Sequence, residues 1–537
     1  MTSAPGEDHA RDEAIERPSP ALDMQWDAWG DGSRAATLPA GVKPILALIL
    51  KGKPRGIPRR LGEVALTPSR LDTAQLEALA AIAPTAADDA ARIRHLGGKS
   101  TLDLLARRLD DVQTAPDAVV FPADHDEVLA VLAHCTTHDI AVVPFGGGTS
   151  VVGGVDPDAG THRAVIALDL TRTAGLLDLD ETSLLAAFGA GTTGPQAEEL
   201  LGRHGYTLGH FPQSFEHASL GGYAATRSSG QASRGYGRFD DLVHALRVAT
   251  PVGELHAGRG PASAAGPDLR ELFLGSEGAF GVLTEVTVRI RPIPTTTAYG
   301  AWSFPDFTTG AAAVREATQR GIQPTVLRLS DETETRINAA MGGHFTRMSG
   351  CLAIATAEGD DAAATLARLD AVFRAHGAKP RGEDPARSWE RGRFNAPGLR
   401  DTLMDIGVLA ETLETATTWA RLDALKSAVT AALTDALDGR PLISCHISHV
   451  YPAGASLYFT VIAPLDADPV AQWAQAKDAA SRAIGAAGGT ITHHHAVGAD
   501  HKPYLAAEIG DLGVAVLRAV KQTLDPQGTL NPGTLIP

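Results

Sequence analysis

The feature that most constrains this chain is a run of three glycines, Gly146, Gly147 and Gly148, set directly after an apolar strand pattern at 141–145 and followed by Thr149 and Ser150. Glycine reaches positive φ without steric cost and leaves no side chain to block a ligand. Successive N–H groups in such a turn converge on an anion, and the two hydroxyls add donors beside them. The loop therefore suits a pyrophosphate; taken alone, it also suits a plain glycine hinge. Three further segments weigh against the hinge. Residues 212–218 lead into Leu220-Gly-Gly222, residues 225–230 supply small side chains and hydroxyls, and Gly275-Ser-Glu-Gly-Ala-Phe-Gly281 forms another tight turn entering a strand. All of them precede Pro292-Ile-Pro294, a natural boundary because proline stops strand ladders. Together they predict one large, flat ligand that carries phosphates.

Two other patterns point to nucleotides and fail on inspection. Gly189-Ala-Gly191-Thr-Thr-Gly194 fits the dinucleotide fingerprint, but no acidic residue ends a strand about 20 residues later to take the ribose. Gly98-Lys99-Ser100 resembles the end of a phosphate loop, but its first glycine would fall at Ile93.

At 537 residues the chain exceeds one ordinary core, and a prior of roughly 150 residues per domain gives two to four units. A net charge of −16 argues against a nucleic-acid partner, which needs a basic stripe. Cys135, Cys351 and Cys445 are odd in number and far apart, which fits a reducing compartment rather than disulfides or zinc. The N-terminus shows no secretory pattern, and Ile45 to Leu50 is too short to span a bilayer, so the expected location is cytoplasmic.

Along the chain, residues 1–22 read as a disordered tail and 23–110 as a mainly helical region. Strands and helices then interleave to 294, and a second α/β unit covers 295–500, with a final segment at 501–537. The class is α+β. Helices are expected at 72–83, 101–108, 123–139, 194–204, 309–320, 413–437, 470–487 and 510–523. Strands are expected at 164–170, 183–188, 242–250, 281–291, 299–304, 326–329 and 456–463.

The loops at 144–150, 221–230 and 275–283 resemble, in order and spacing, the FAD loops of the vanillyl-alcohol-oxidase/PCMH superfamily, and Asn531-Pro-Gly-Thr-Leu535 resembles its tail motif. The resemblance implies a FAD domain of two α+β subdomains plus a cap domain, with a C-terminal tail returning to the FAD domain. It places the cofactor on Pro144, Phe145, Gly146, Gly147, Gly148, Thr149 and Ser150, and on Pro212, Gln213, Ser214, Ser219, Gly222, Ala225, Thr226, Arg227 and Ser228. Glu277, Gly278, Ala279, Gly281 and Val282 complete the set. No His or Cys lies within 146–150, so the FAD is expected to be non-covalent.

Further motifs narrow the likeness. Met24-Gln-Trp-Asp-Ala-Trp-Gly30, Gly209-His-Phe-Pro-Gln-Ser-Phe-Glu216, Arg328-Leu-Ser-Asp331, Glu411-Thr-Leu-Glu-Thr415, Ala453-Gly-Ala-Ser-Leu-Tyr-Phe459 and Thr492-His-His-His-Ala-Val-Gly498 occur in order. From about residue 24 onward the chain resembles the alkylglycerone-phosphate synthase family in a bacterial form. That family replaces the acyl group of acyl-dihydroxyacetone phosphate by a fatty alcohol, through a flavin N5 adduct and with no net redox. The resemblance makes Tyr458 the acid/base, Arg400 the phosphate contact and Arg328 a group near the flavin. It places His493, His494 and His495 in the active site.

An unperturbed tyrosine titrates near pKa ~10, so Tyr458 needs nearby cations or hydrogen bonds to act as a base near neutrality. On a strand, His493 and His495 would share a face and His494 would oppose them. Only His501 lies near enough to add a ligand, so no metal is expected. Fatty substrates imply peripheral contact with a membrane, through an apolar loop between about 335 and 350, and the family implies a homodimer. The rival reading on the same FAD loops is an FAD-linked oxidase or dehydrogenase of a 2-hydroxy acid of the D-lactate or glycolate type.

Overall fold

A computed structural model describes residues 15–30, 56–58, 64–341, 350–437 and 441–537. The apolar run before the glycines forms the strand Ile140–Phe145. It pairs in parallel with Ala164–Asp169, which pairs in parallel with Ala118–Val120, and Thr85–Ala86 adds an antiparallel edge. The helix His125–Thr137 makes the crossover between the parallel strands Ala118–Val120 and Ile140–Phe145, which flank Ala164–Asp169 on either side. Every residue of Ala164–Asp169 is buried, which is why it reads as an unbroken apolar run. A five-stranded antiparallel sheet runs in the order Gly253–Ala257, Val243–Thr250, Val282–Arg289, Leu185–Gly189, Leu176–Asp180. Ala249 and Val282 from this sheet share a core with Val128 and Val131 of the crossover helix. These are the two α+β subdomains expected. The tail returns as expected: the Val142 N–H donates to the Thr529 carbonyl at 2.8 Å, and the Asn531 N–H donates to the Val142 carbonyl at 2.9 Å.

The rest of the chain is organised by a seven-stranded antiparallel sheet. Its order is Lys379–Gly382, Thr297–Phe304, Cys351–Glu358, Val326–Ser330, Leu442–Ile447, Gly454–Pro464, Val408–Thr418. Strand side chains alternate between faces. Leu327, Leu329, Cys445, Ile447, Leu457, Phe459, Leu409 and Leu413 therefore turn to one face. They share one core with side chains of the helices Phe307–Gln319, Ala362–Ala375, Leu422–Ala436 and Pro469–Ala486. The opposite alternation sends Arg328, His446, Tyr458 and Glu414 to the other face.

Three expectations are corrected. The stretch 413–437 is not one helix: Val408–Thr418 is a strand, and the helix is Leu422–Ala436. Thr, Val and Leu in that stretch suit a pleated surface, and pairing with Gly454–Pro464 over the whole strand overrides its helical pattern. The last helix begins earlier, at Lys502, and is kinked at Gly510 with φ 74°. The tail expected to be disordered up to residue 22 is tied down from residue 15: Glu16 bridges Leu176, and the Ser19 hydroxyl donates to Glu199 at 3.0 Å. Of the apolar loop expected at about 335–350, residues 335–341 belong to the helix Glu332–Met341, and 342–349 lie outside the described residues. Among the described residues no helix is long and apolar enough to cross a membrane.

Candidate active site

The glycine loop packs edge to edge with the other loops singled out above. A Cβ on Gly146 would lie 2.3 Å from Ser219 Oγ, and one on Gly147 would lie 2.0 Å from the His217 carbonyl oxygen. Gly148 has φ 62° and Gly278 φ 76°, and a Cβ on Gly278 would meet Pro144 Cγ at 2.8 Å. Ser219 caps the helix Leu220–Thr226, which holds Gly222, Ala225 and Thr226; Arg227 ends it in the left-handed region. The Gly275 and Glu277 N–H groups donate to the carbonyls of Ala224 and Ala225 at 3.0 and 2.9 Å. Asn531 Nδ2 donates to the Glu277 carbonyl at 2.6 Å and to the Gly154 carbonyl at 3.0 Å, so the tail locks two loops together.

Some side chains in this set are turned elsewhere. The Arg227 guanidinium pairs with Asp240 and Glu271, and its side chain lies against Gly275 and donates from Nε to the Leu274 carbonyl at 2.9 Å. The Thr226 hydroxyl donates to the Gly222 carbonyl. The Glu277 carboxylate accepts from the N–H groups of Val497 and Gly498, at 3.1 and 2.8 Å. Burial pushes its carboxyl up to about 7 against the pull of those two donors. These contacts, with the Ala499 N–H donating to the Val152 carbonyl at 2.9 Å, fasten the end of the histidine triplet to the glycine loop.

On the polar face of the seven-stranded sheet, Ser330, His446, Tyr458 and Glu414 are paired in register across four strands, with Arg328 two residues along from Ser330. Arg328 donates to Glu334 at 2.7 Å, and its guanidinium lies 2.9 Å from His446 Nε2. The His446 ring stacks on Tyr458 at 4.9 Å. On the other side of Tyr458, His494 stacks at 6.2 Å and His495 stands edge-on at 5.8 Å. The Tyr458 shift runs opposite to the expected one. Burial pushes the phenol up to about 12, against the pull of a hydrogen bond from Thr412, and Glu411 and Glu414 add to the rise more than Arg328 opposes it. Tyr458 therefore holds its proton near neutrality.

The triplet is not on a strand. Its N–H groups turn inward on the buried Glu414 carboxylate: His493 donates at 2.7 Å, His494 at 3.0 Å and His495 at 2.9 Å, and the Thr492 hydroxyl donates at 2.6 Å. With the backbone curled round an anion, the three rings fan out on neighbouring sides rather than alternating. Burial alone would raise the Glu414 carboxyl, but the positive charge that the three histidines take up on acidification, with the Thr492 hydroxyl, holds it well below the carboxylate range. Burial also pushes all three imidazoles down, to about 4 for His493, so they are neutral at physiological pH.

Arg400 lies apart from this cluster. Its guanidinium donates to the Lys99 carbonyl at 2.7 Å and pairs with Asp401 at 3.3 Å, and one terminal nitrogen is buried without a partner. The Lys99 ammonium is buried beside it. Burial, then Arg107, holds that ammonium well below the usual lysine range, and Arg400 adds to this. The Lys99 N–H donates to the Ser150 carbonyl at 2.6 Å, which sets these cations at the end of the glycine loop.

Sequence reasoning missed Glu414, Glu334, His446, His449, Tyr451 and Lys99 as site residues. Glu414 lies among threonines in a stretch whose pattern predicts helix from 413, so no local signal marked it.

Residues 116–258 match the family described as FAD binding domain, and residues 293–535 match FAD linked oxidases, C-terminal domain. The alkyldihydroxyacetonephosphate synthase of Trypanosoma brucei brucei is 34% identical over 480 residues, covering 84% of this chain and 78% of the relative. The synthase of Dictyostelium discoideum is 32% identical over 479 residues, with the same coverage of both chains. A solved alkyldihydroxyacetonephosphate synthase superposes with TM-score 0.83 at 27% identity, covering 95% of this chain and 99% of that one. This chain belongs to the alkyldihydroxyacetonephosphate synthase family.

As a member of that family it is an FAD-dependent enzyme, and its loops fit the cofactor. Gln213 Nε2, Ser229 Oγ, Ser276 Oγ and Asn531 Oδ1 are buried without a hydrogen-bond partner in the protein, and all lie on or beside the loops that converge on residues 146–150. A polar cofactor seated between those loops would give all four a partner. Gly147→Ala tests the cradle. The added methyl meets backbone, which cannot step aside, so the purified variant is expected to lose most of its visible flavin absorbance.

Proposed function

We propose that this enzyme exchanges the acyl group of an acyl-dihydroxyacetone phosphate for a long-chain alcohol. The observation that carries the reading is the enclosure of Tyr458 by His446, His494 and His495, fastened to the FAD loops through Glu277. In the exchange, the bond from substrate carbon to the acyl oxygen breaks and a bond to the alcohol oxygen forms. The alcohol proton leaves with the fatty acid, and no electrons are gained or lost overall.

FAD, held non-covalently, supplies a ring able to lend and recover electron density at the reacting carbon. Tyr458 enters as a neutral phenol and donates a hydrogen bond to the departing carboxylate; a proton it gives up is recovered from the incoming alcohol. His494 and His495, neutral and half-buried, orient the oxygens on either side of that transfer. The Arg328, Glu334 and His446 triad holds the ring beneath Tyr458 in place. Arg400 and Lys99 take the phosphate, whose charge relieves the crowding of the buried Lys99 by its neighbouring guanidinium groups. Residues 111–294 with 501–537 form the FAD domain in this reading, and 295–500 the cap.

The test against a 2-hydroxy-acid dehydrogenase is spectroscopic. Mixed anaerobically with D-lactate or glycolate, the holoenzyme is expected to keep its oxidised flavin spectrum, and exchange should proceed with no electron acceptor. Full bleaching by either hydroxy acid would replace this reading with the dehydrogenase one.

A further inference from the structure

Behind the histidine triplet lies a chain of hydrogen bonds that the exchange reaction does not itself require. Tyr451, on the turn before the strand that carries Tyr458, places its hydroxyl 2.6 Å from His493 Nε2. His493 Nδ1 in turn lies 3.0 Å from His494 Nδ1. The Tyr451 backbone is anchored by its N–H to the Gly454 carbonyl at 2.8 Å, and its own carbonyl accepts from Trp419 Nε1 at 3.0 Å. The phenol therefore approaches the imidazole from a fixed point.

The chemistry of the donors gives this chain a direction. The Arg238 guanidinium also hydrogen-bonds the Tyr451 phenol. A guanidinium only donates, so it takes one lone pair of the phenol oxygen; among the described residues, the acceptor that the O–H meets is His493 Nε2, at 2.6 Å. His493 Nε2 is then the acceptor. A neutral imidazole has one hydrogen, so that of His493 sits on Nδ1 and is donated to His494 Nδ1. The single hydrogen of His494 is left on Nε2, at the ring edge remote from the chain. Glu414 does not compete for the hydrogen: its oxygen is 3.5 Å from His494 Nδ1, beyond good hydrogen-bonding distance. Burial keeps both imidazoles neutral. His449 stacks on His493 at 5.0 Å and meets it face to face, so it does not enter the chain.

We propose that Tyr451 is a positioning residue which, through His493, locks His494 in the tautomer bearing its hydrogen on Nε2, making that edge a standing hydrogen-bond donor beside Tyr458. Its ligand is an oxygen acceptor, the carbonyl or developing oxyanion of the substrate. This role rests on the exchange reading above; the tautomer itself does not. Without Tyr451 the pair is free to reverse, with His494 donating through Nδ1 and presenting a lone pair where a donor is needed.

Nitrogen NMR of the holoenzyme labelled in its histidines reads the tautomer directly. His494 Nε2 is expected to be pyrrole-like and Nδ1 pyridine-like, with the distinction blurred in Tyr451→Phe. A double-mutant cycle reads the consequence. In His493→Asn, a side-chain amide places a permanent N–H where Nδ1 stood. Tyr451→Phe is expected to slow exchange about 10- to 100-fold in the wild-type background and to add nothing in His493→Asn.

Equal losses in both backgrounds, or a hydrogen found on His494 Nδ1 in the wild type, would overturn the proposal. So would a stoichiometric transition metal in the purified holoenzyme, because nitrogens of His449, His493 and His494 lie within 4.8 Å of one another and a metal there would take the lone pairs the chain uses. If wild-type enzyme shows no exchange at all, the functional reading falls by itself, and the spectra still decide the tautomer.

Discussion

Replacing Tyr458 by phenylalanine is expected to slow acyl–alkyl exchange by roughly 10²- to 10⁴-fold, the range a positioned acid or base supplies, while FAD stays bound. The substitution keeps the ring, so the stacking on His446 at 4.9 Å and on His494 at 6.2 Å survives. Only the hydroxyl goes. Two measurements separate its chemistry from a packing role: flavin content and thermal midpoint should match the wild type, and the single-turnover rate should fall. An unchanged rate would remove Tyr458 from the reaction. Because burial lifts the phenol to about 12, no loss of activity from deprotonation of Tyr458 is expected near neutral pH.

Glu414→Ala is expected to do more structural damage than any other single change in the site. It leaves the inward-pointing N–H groups of His493, His494 and His495 and the Thr492 hydroxyl without their acceptor. Each buried donor left unpaired costs about 1–3 kcal/mol, so a loss of about 3 kcal/mol or more is expected. The triplet then relaxes, and displacements on the order of 1 Å in a site of this kind cost roughly 10²-fold in rate. The thermal midpoint and the exchange rate should therefore fall together.

The pH dependence has a definite sign. The Glu414 carboxyl is held well below its unfolded value of 4.5. Its stabilisation is thus fully present above that value and is lost as the pH falls through the folded one. The gap in thermal midpoint between wild type and Glu414→Gln should shrink as the solution is acidified. A gap that widened in acid would contradict the nest geometry.

The FAD half was legible in the sequence for a physical reason. Close approach of loops demands glycine at Gly146, Gly147 and Gly278, and such demands are written locally. Tyr458 and the histidine triplet were visible as motifs, but their arrangement was not. Three consecutive histidines on a strand alternate, and only the carboxylate of Glu414, 79 residues away from His493, curls them round one point. The end of the Glu414 strand, 413–418, fits a helical period as well, because Leu, Ala, Glu and Thr suit both until the pairing partner is known. Arg400 could be named as a charge, but its neighbour Lys99 was seen only as a failed phosphate loop. The chain folds these two together across 301 residues. Local chemistry was readable and long-range pairing was not.

The central claim is tested most directly by product analysis. Purified yellow holoenzyme is incubated with palmitoyl-dihydroxyacetone phosphate and hexadecanol without an electron acceptor, and the lipids are examined by mass spectrometry. Equimolar alkyl ether and free palmitate are predicted, with both lost in Tyr458→Phe. Palmitate released with no ether formed, or neither product while a 2-hydroxy acid reduces the flavin, would contradict the account.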